Sequence, residues 1–249
     1  MKIIRLLFFA VVSFLVLPGT LFWAQDIHES PSYGQFTEED ALRFNTTAKT
    51  VLSPAYPYLA EFIVDRFEIR EKRGIGIDIG GGPGNLVLEL CKQTSAFFWI
   101  NADINPYFSR FLFRGAQENQ CAHRIGSVFA DAHYMPFRDN YADVIVSRGS
   151  LQFWHTWEQV FAEMYRVLKP GGYAFVGRGF SENMPLEVAK QVRMKQGGRG
   201  PKYSPGDTAR ELEGIMKKLH IRNYEVLRPR LDQDQVNYGV WVVFSKPGE

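Results

Sequence analysis

Charge of one sign is missing from this sequence: 29 Lys and Arg stand against 27 Asp and Glu over 249 residues. Setting aside Lys2 and Arg5 of the N-terminal stretch leaves the two signs equal. A chain without net charge lacks the electrostatic footprint that nucleic-acid binding draws on, so nucleic acid is not expected as a partner. Cysteine is nearly absent as well. Cys91 and Cys121 stand too far apart for a C-x-x-C metal site, and a core of this size needs no disulfide scaffold. Both are read as buried or inert thiols. Neither falls at the C-terminal end of an expected strand, so no metal and no covalent intermediate are expected. No internal repeat or low-complexity tract is present. What the chain does have is 45% apolar residues with 22% charged ones, which suits a globular core and excludes a disordered or collagen-like chain.

The long hydrophobic run is N-terminal. Lys2 and Arg5 precede Leu6 to Leu17, interrupted only by Ser13, and Pro18-Gly19-Thr20 and Phe22-Trp23-Ala24 follow. A charged start, an apolar stretch, a helix breaker and a small residue make a secretory-signal pattern. Extended to Trp23, the run is marginally long enough to span a bilayer. Residues 1–24 are therefore expected to be a signal peptide or membrane anchor, with the two cations holding the N-terminus inside and the body outside. The expected location is membrane-associated or exported; the alternative is cytoplasmic, with the run buried as an N-terminal helix. On a glycosylating export route Asn45-Thr46-Thr47 is an acceptor sequon.

Residues 25–73 are expected to form an N-terminal helical lid. Thr37 and Asp40 have the spacing of a capping box. Pro54 and Pro57 interrupt the first helix, and a second, over about residues 58–70, carries Leu59, Phe62, Ile63 and Phe67 at helical spacing. Residues 74–249 then alternate strands with helices, which predicts an α/β domain with a parallel sheet covered on both faces. The expected strands are 75–79, 97–102, 125–130, 143–147 and 173–177; the expected helices are 84–93, 107–119, 157–168 and 204–219. Residues 224–227 and 238–244 are joined without a helix, which predicts an antiparallel hairpin at the sheet edge.

The segment Ile75-Gly76-Ile77-Asp78-Ile79-Gly80-Gly81-Gly82-Pro83-Gly84-Asn85 is an apolar strand running into a glycine turn and a helix. Such a turn lets a nucleotide-type cofactor lie against bare backbone. The dinucleotide fingerprint needs a sixth-position Gly where this chain has Asn85, so the pattern is G-x-G-x-G. Asp103, at the end of the second strand, stands where a carboxylate accepts two ribose hydroxyls. Asp131-Ala132 closes the third strand at the same sheet edge, where a ligand amino group has a carboxylate to donate to.

With Ala102-Asp103, Ala130-Asp131-Ala132, Met135-Pro136-Phe137, Tyr141 to Ser147 and Val167 to Gly172, these blocks cover about residues 74–178. Taken together the chain resembles a class I S-adenosylmethionine-dependent methyltransferase of the small-molecule type 11 kind. The resemblance implies a seven-stranded, mostly parallel, Rossmann-like sheet with helices on both faces and the last strand antiparallel. It implies S-adenosylmethionine as cofactor, with Gly80, Gly82 and Gly84 along its methionine and ribose. It further implies that Asp78 braces the loop, Asp103 binds the ribose hydroxyls and Ile104 packs on the adenine. Asp131 with the Ala132 amide holds the adenine, and the Ser147 backbone meets the methionine end. The plainer alternatives are caps and turn acceptors for Asp78, Asp103 and Asp131.

Methyl transfer needs little beyond placement, so a base is optional. His155 is the best-placed candidate; its alternative, between Trp154 and Trp157, is packing or capping. His133 is read as a loop residue. Tyr33, Phe36 and the first helix are candidates for the lid, with Trp154 beside the acceptor. Arg148, Arg178 and the Lys195–Lys202 loop put cations near the expected mouth, for an anionic acceptor or as a solvated basic surface. The expected function is methyl transfer to a small-molecule acceptor, with an anionic or a lipid-associated one as candidates. The alternatives are a non-catalytic binding protein and an NAD-dependent oxidoreductase.

Overall fold

From Arg73 onward the alternation of strands and helices winds the chain into one sheet. This computed structural model describes residues 36–197, 203–230 and 236–248. The signal or anchor expected over residues 1–24, Tyr33 and most of the Lys195–Lys202 loop lie outside the described residues. Among the described residues no helix is long and apolar enough to cross a membrane.

The strands are β1 (Arg73–Ile79), β2 (Ala96–Asp103), β3 (Ile125–Phe129), β4 (Ala142–Arg148), β5 (Leu168–Gly179), β6 (Tyr224–Leu227) and β7 (Gly239–Ser245). Their order is β3-β2-β1-β4-β5-β7-β6. The first five run parallel, and β7 inserts antiparallel between β5 and β6. This is the Rossmann-like methyltransferase fold with a reversed last strand. On one face α5 (Trp157–Val167) and α7 (Pro205–Lys218) bury Phe161, Met164, Leu212 and Met216 against Ile77, Ile145, Val176 and Val242. On the other, α2 (Ala55–Arg66), α3 (Asn85–Gln93) and α4 (Ser109–Glu118) bury Ile63, Leu90 and Leu112 against Trp99, Val146 and Phe175. Gly76 in β1 makes that second face possible, since a Cβ there would meet the Trp99 ring at 2.2 Å. Both cysteines are free and buried in this layer. Burial and a hydrogen bond with Cys121 push the Cys91 thiol up to about 12.

Three expectations need correction. The second helix starts at Ala55, because Pro57 sits in its first turn, where backbone N–H groups have no helical partner to lose. Strand β5 begins at Leu168 rather than residue 173, since Leu168 already pairs with Ala142 and the strand continues across an irregularity between Ala142 and Val144, with Gly171 turned to a φ of 78°. A helix, α6 (Leu186–Lys195), occupies a stretch for which the sequence predicts no element, burying Ala189 and Val192 against Phe180, Met184 and Tyr238. Helix α2 packs in the layer that holds α3 and α4. What extends over the strand ends is α1 (Glu38–Thr47), opened by the expected Thr37–Asp40 capping box. Its Phe44 meets Phe108, beyond β2, at 6.1 Å and Phe153, beyond β4, at 6.2 Å. Phe36, ahead of it, is exposed.

Candidate cofactor and active site

Strands β2 and β4 flank β1, and the crossover changes direction there, which opens a crevice at the strands' C-terminal ends. The turn Gly80 to Gly84 enters it. Gly80, Gly82 and Gly84 have φ of 66°, 56° and 83°, backbone that L side chains seldom adopt. Their surroundings differ. A Cβ on Gly80 would meet Ser150 Oγ at 2.3 Å and one on Gly84 would meet Leu112 Cδ1 at 2.3 Å, but on Gly82 the nearest atom is Phe108 Cε2 at 4.0 Å. Gly82 alone of the three faces open space.

The turn is held by side chains from neighbouring strands. Asn101 Nδ2 donates to the Gly82 carbonyl at 3.0 Å, and the Gly82 N–H donates to Asp103 Oδ2 at 2.8 Å. Ser147 Oγ donates to the Ile79 carbonyl at 2.6 Å and Ser150 Oγ to the Gly80 carbonyl at 2.8 Å. Asp103 also accepts the Asn105 N–H through Oδ1, at 2.8 Å. Burial outweighs these bonds and pushes its carboxyl up to about 6. A cavity of about 340 Å³ opens beside Asp103, bounded by Asn105, Phe108 and Phe129.

Two more carboxylates complete the rim. Asp78 is buried, its Oδ1 has no hydrogen-bond partner, and burial with the nearby Asp103 charge holds its carboxyl well above the usual range against the opposing pull of Arg148. Asp131 is buried too. Its Oδ1 accepts from the His133 N–H at 2.9 Å and lies 2.7 Å from His133 Nδ1, while Oδ2 has no partner. Ile104 and Ala132 are half-buried.

Other expected residues fall around this centre. His155 is exposed and stacks on His133 at 6.2 Å, at the Asp131 side of the rim. Trp154 packs edge-to-face on Phe161 at 6.4 Å and so covers the α5 layer. Arg148 and Arg178, near the ends of β4 and β5, lie beyond the glycine turn: Arg148 is paired with Gly177, the residue before Arg178. Asn101 and Ser150 are not among the residues expected from the sequence, although Asn101, two before Asp103 on β2, is placed by strand period alone on the same side.

A glycine turn at a switch point, with a carboxylate on the next strand end beside a cavity and buried, unpaired carboxylate oxygens after β3 and in β1, defines a nucleoside-cofactor site of the Rossmann-like class. The orphaned Asp78 and Asp131 oxygens and the free position at Gly82 fit S-adenosylmethionine, which carries ammonium, adenine amino and sulfonium groups. A family model described as a methyltransferase domain matches residues 77–176. A solved structure of a putative S-adenosylmethionine-dependent methyltransferase from Methanococcus maripaludis is 29% identical, with a TM-score of 0.73 over 88% of this chain and 96% of that one. Residues 77–176 thus form a methyltransferase domain, on the fold and with the glycine-turn crevice of the S-adenosylmethionine-dependent methyltransferases it resembles.

Among curated relatives, human mitochondrial arginine-hydroxylase NDUFAF5 is 25% identical over 205 residues, 78% of this chain and 56% of its own. The malonyl-[acyl-carrier protein] O-methyltransferase of Geobacter sulfurreducens is 29% identical over 65% of this chain and 59% of its own. This chain thus spans little more than half the length of these relatives. A phosphoethanolamine N-methyltransferase of Haemonchus contortus, solved with S-adenosylmethionine, shares the fold at 17% identity and a TM-score of 0.56, over 86% of this chain and 61% of its own.

Proposed function

We propose that this protein transfers the methyl group of S-adenosylmethionine to a small-molecule acceptor. The observation that supports this most is the pair of buried, unpartnered oxygens, Asp78 Oδ1 and Asp131 Oδ2, around a turn whose middle glycine faces open space. A buried polar atom without a partner costs about 1–3 kcal/mol, which a donor on a ligand recovers. In this reading Asp131 Oδ2 and the Ala132 amide take the adenine edge, Ile104 its face, Asp103 the ribose hydroxyls, and Asp78 with the Ser147 backbone the methionine end.

When bound, the cofactor supplies an electrophilic methyl group on a sulfonium whose leaving group is a neutral thioether. The chain's own part is placement and exclusion of water. Well-oriented reactants gain about 7–11 kcal/mol from effective molarity in favourable cases, so no strong base is required. Ser147 and Ser150 fix the turn against β4, Phe44 on α1 shields the strand ends, and an acceptor proton that must leave has His155 at the rim.

Titration calorimetry with S-adenosylmethionine, S-adenosylhomocysteine and NAD tests the reading. The two adenosyl compounds are expected to bind and NAD not; binding of NAD alone overturns it in favour of an oxidoreductase, which Asn85 already disfavours. Formation of S-adenosylhomocysteine over a panel of acceptors separates an enzyme from a non-catalytic binder. A second reading follows the activity for which the mitochondrial relatives are named, hydroxylation of an arginine. It is distinguished by product, since a hydroxylated protein gains oxygen and an acceptor of methyl transfer gains a methyl group.

Affinity should depend on pH. Ribose hydroxyls donate to the ionised Asp103, whose carboxyl is raised to about 6, so binding rises with pH until that group has lost its proton. S-Adenosylhomocysteine affinity is expected to climb about tenfold between pH 5 and 7 and then level off. The same ionisation weakens the cofactor-free fold over the window from the unfolded value, near 4, up to about 6, since a raised acid is held in its protonated form by folding. An equally steep pH profile in Asp103→Asn would assign the titration to another group.

A further inference from the structure

Beyond the glycine turn, three guanidinium groups gather at the ends of β4 and β5. Arg148 closes β4 and donates to the Gly179 carbonyl at 3.5 Å, while its Cζ stands 5.2 Å from the Tyr56 ring. Arg178 lies 3.4 Å over the Tyr203 ring and donates to Thr208 Oγ1 at 3.2 Å. Arg193, from α6, lies 4.3 Å over the Phe180 ring and donates to the Asn237 carbonyl at 2.6 Å. In all three the Nε atom is buried with no hydrogen-bond partner, and among the described residues none of the three has a carboxylate within ion-pair distance. Glu211 on α7 acts on Arg178 only at longer range. Charges taken from water are normally paired, and like charges brought together repel. Burial holds Arg178 and Arg193 below the usual arginine value, and the Tyr203 phenol, itself raised by burial, feels all three cations. The aromatic rings lower the cost but supply no counter-charge.

The place is as telling as the charge. Ser147, next to Arg148, holds the Ile79 carbonyl, and Ser150, two residues on, holds the Gly80 carbonyl. The cluster therefore adjoins the methionine end of the crevice, where an acceptor must sit to reach the methyl group. We infer that Arg148, Arg178 and Arg193 form an oxyanion site, with the Tyr203 ring under Arg178 and its hydroxyl tied to the Arg178 carbonyl at 3.3 Å, and that the methyl acceptor is a small molecule carrying a phosphate or carboxylate. Planar guanidinium forks match both groups. The inference rests on the methyl-transfer reading and narrows its acceptor.

Calorimetry on the full chain saturated with S-adenosylhomocysteine, titrated with inorganic phosphate or acetate against chloride at constant ionic strength, tests it. At least one oxyanion is expected to bind saturably; tighter phosphate binding assigns a phosphate-bearing acceptor and tighter acetate binding a carboxylate. Arg193→Gln and Arg148→Gln are each expected to weaken the preferred anion at least tenfold, with S-adenosylhomocysteine affinity within about threefold of wild type. Arg193→Lys, which keeps the charge but not the fork, is expected to fall between. Absence of saturable binding to the wild type, or binding unchanged in both glutamine variants, overturns the site while leaving the cofactor reading in place. Failure of S-adenosylhomocysteine to bind overturns the cofactor reading instead.

Discussion

Asp103→Ala is expected to weaken S-adenosylmethionine and S-adenosylhomocysteine binding by about 100- to 1,000-fold, or roughly 3–4 kcal/mol. Two losses add. Hydrogen bonds to a charged acceptor contribute about 1.5–3 kcal/mol each, and the ribose offers two hydroxyls to this carboxylate. The substitution also frees the Gly82 and Asn105 N–H groups, which in the wild type donate to Oδ2 and Oδ1 at 2.8 Å each, so the turn that carries Gly82 loses its anchor on β2. Stability should move less. The ionised carboxyl is disfavoured by its own burial, and removing that penalty offsets part of the lost bonding. A melting temperature within a few degrees of wild type, beside a collapse in affinity, identifies a binding residue. Asp103→Asn keeps one acceptor oxygen and should lie between; affinity of Asp103→Ala within threefold of wild type would show that the ribose lies elsewhere.

Much of this arrangement is legible along the chain because its causes are local. Apolar period two followed by glycines announces β1 and its turn; Thr37 with Asp40, and Ser204 with Pro205 and Asp207, announce helix starts, and both caps form. The reversed β7 follows from a short connection with no room for a crossover helix. What escapes a reading along the chain depends on partners far away in sequence. Ser150 matters because its hydroxyl reaches Gly80, 70 positions back, and Asp143 because it ties the Ile75 N–H to Lys169. Neither contact leaves a periodic mark.

Helix α6 escapes for another reason. Its buried stripe is narrow, only Ala189 and Val192, and the glycines after it suggest a loop; Pro185, with Glu187 in the first turn and Arg193 and Lys195 in the last, is the signal the sequence does carry. Without that helix Arg193 has no place near the mouth, so the sequence puts the further cations on a lysine loop instead of on a third arginine at the β5 end.

Gly82→Asn is the sharper test of whether the open space belongs to the cofactor. Asparagine adopts left-handed backbone more readily than other residues with a Cβ, so a φ of 56° should cost it little. The space around the position also tolerates the first added atom, whose nearest neighbour would be Phe108 at 4.0 Å. The variant should therefore melt within a few degrees of wild type. Its side chain would nevertheless project into the gap beside the turn, and cofactor affinity is expected to fall at least 100-fold, about 2.7 kcal/mol. Gly80→Ala and Gly84→Ala supply the contrast: there the Cβ would run into Ser150 and Leu112 at 2.3 Å, and stability should drop together with binding. Loss of affinity without loss of fold, confined to Gly82, is a pattern that a purely structural glycine turn does not produce. Undiminished binding of S-adenosylhomocysteine by Gly82→Asn would mean the ligand passes this backbone on another side, and the roles of Asp78 and Ser147 at the methionine end would go with it.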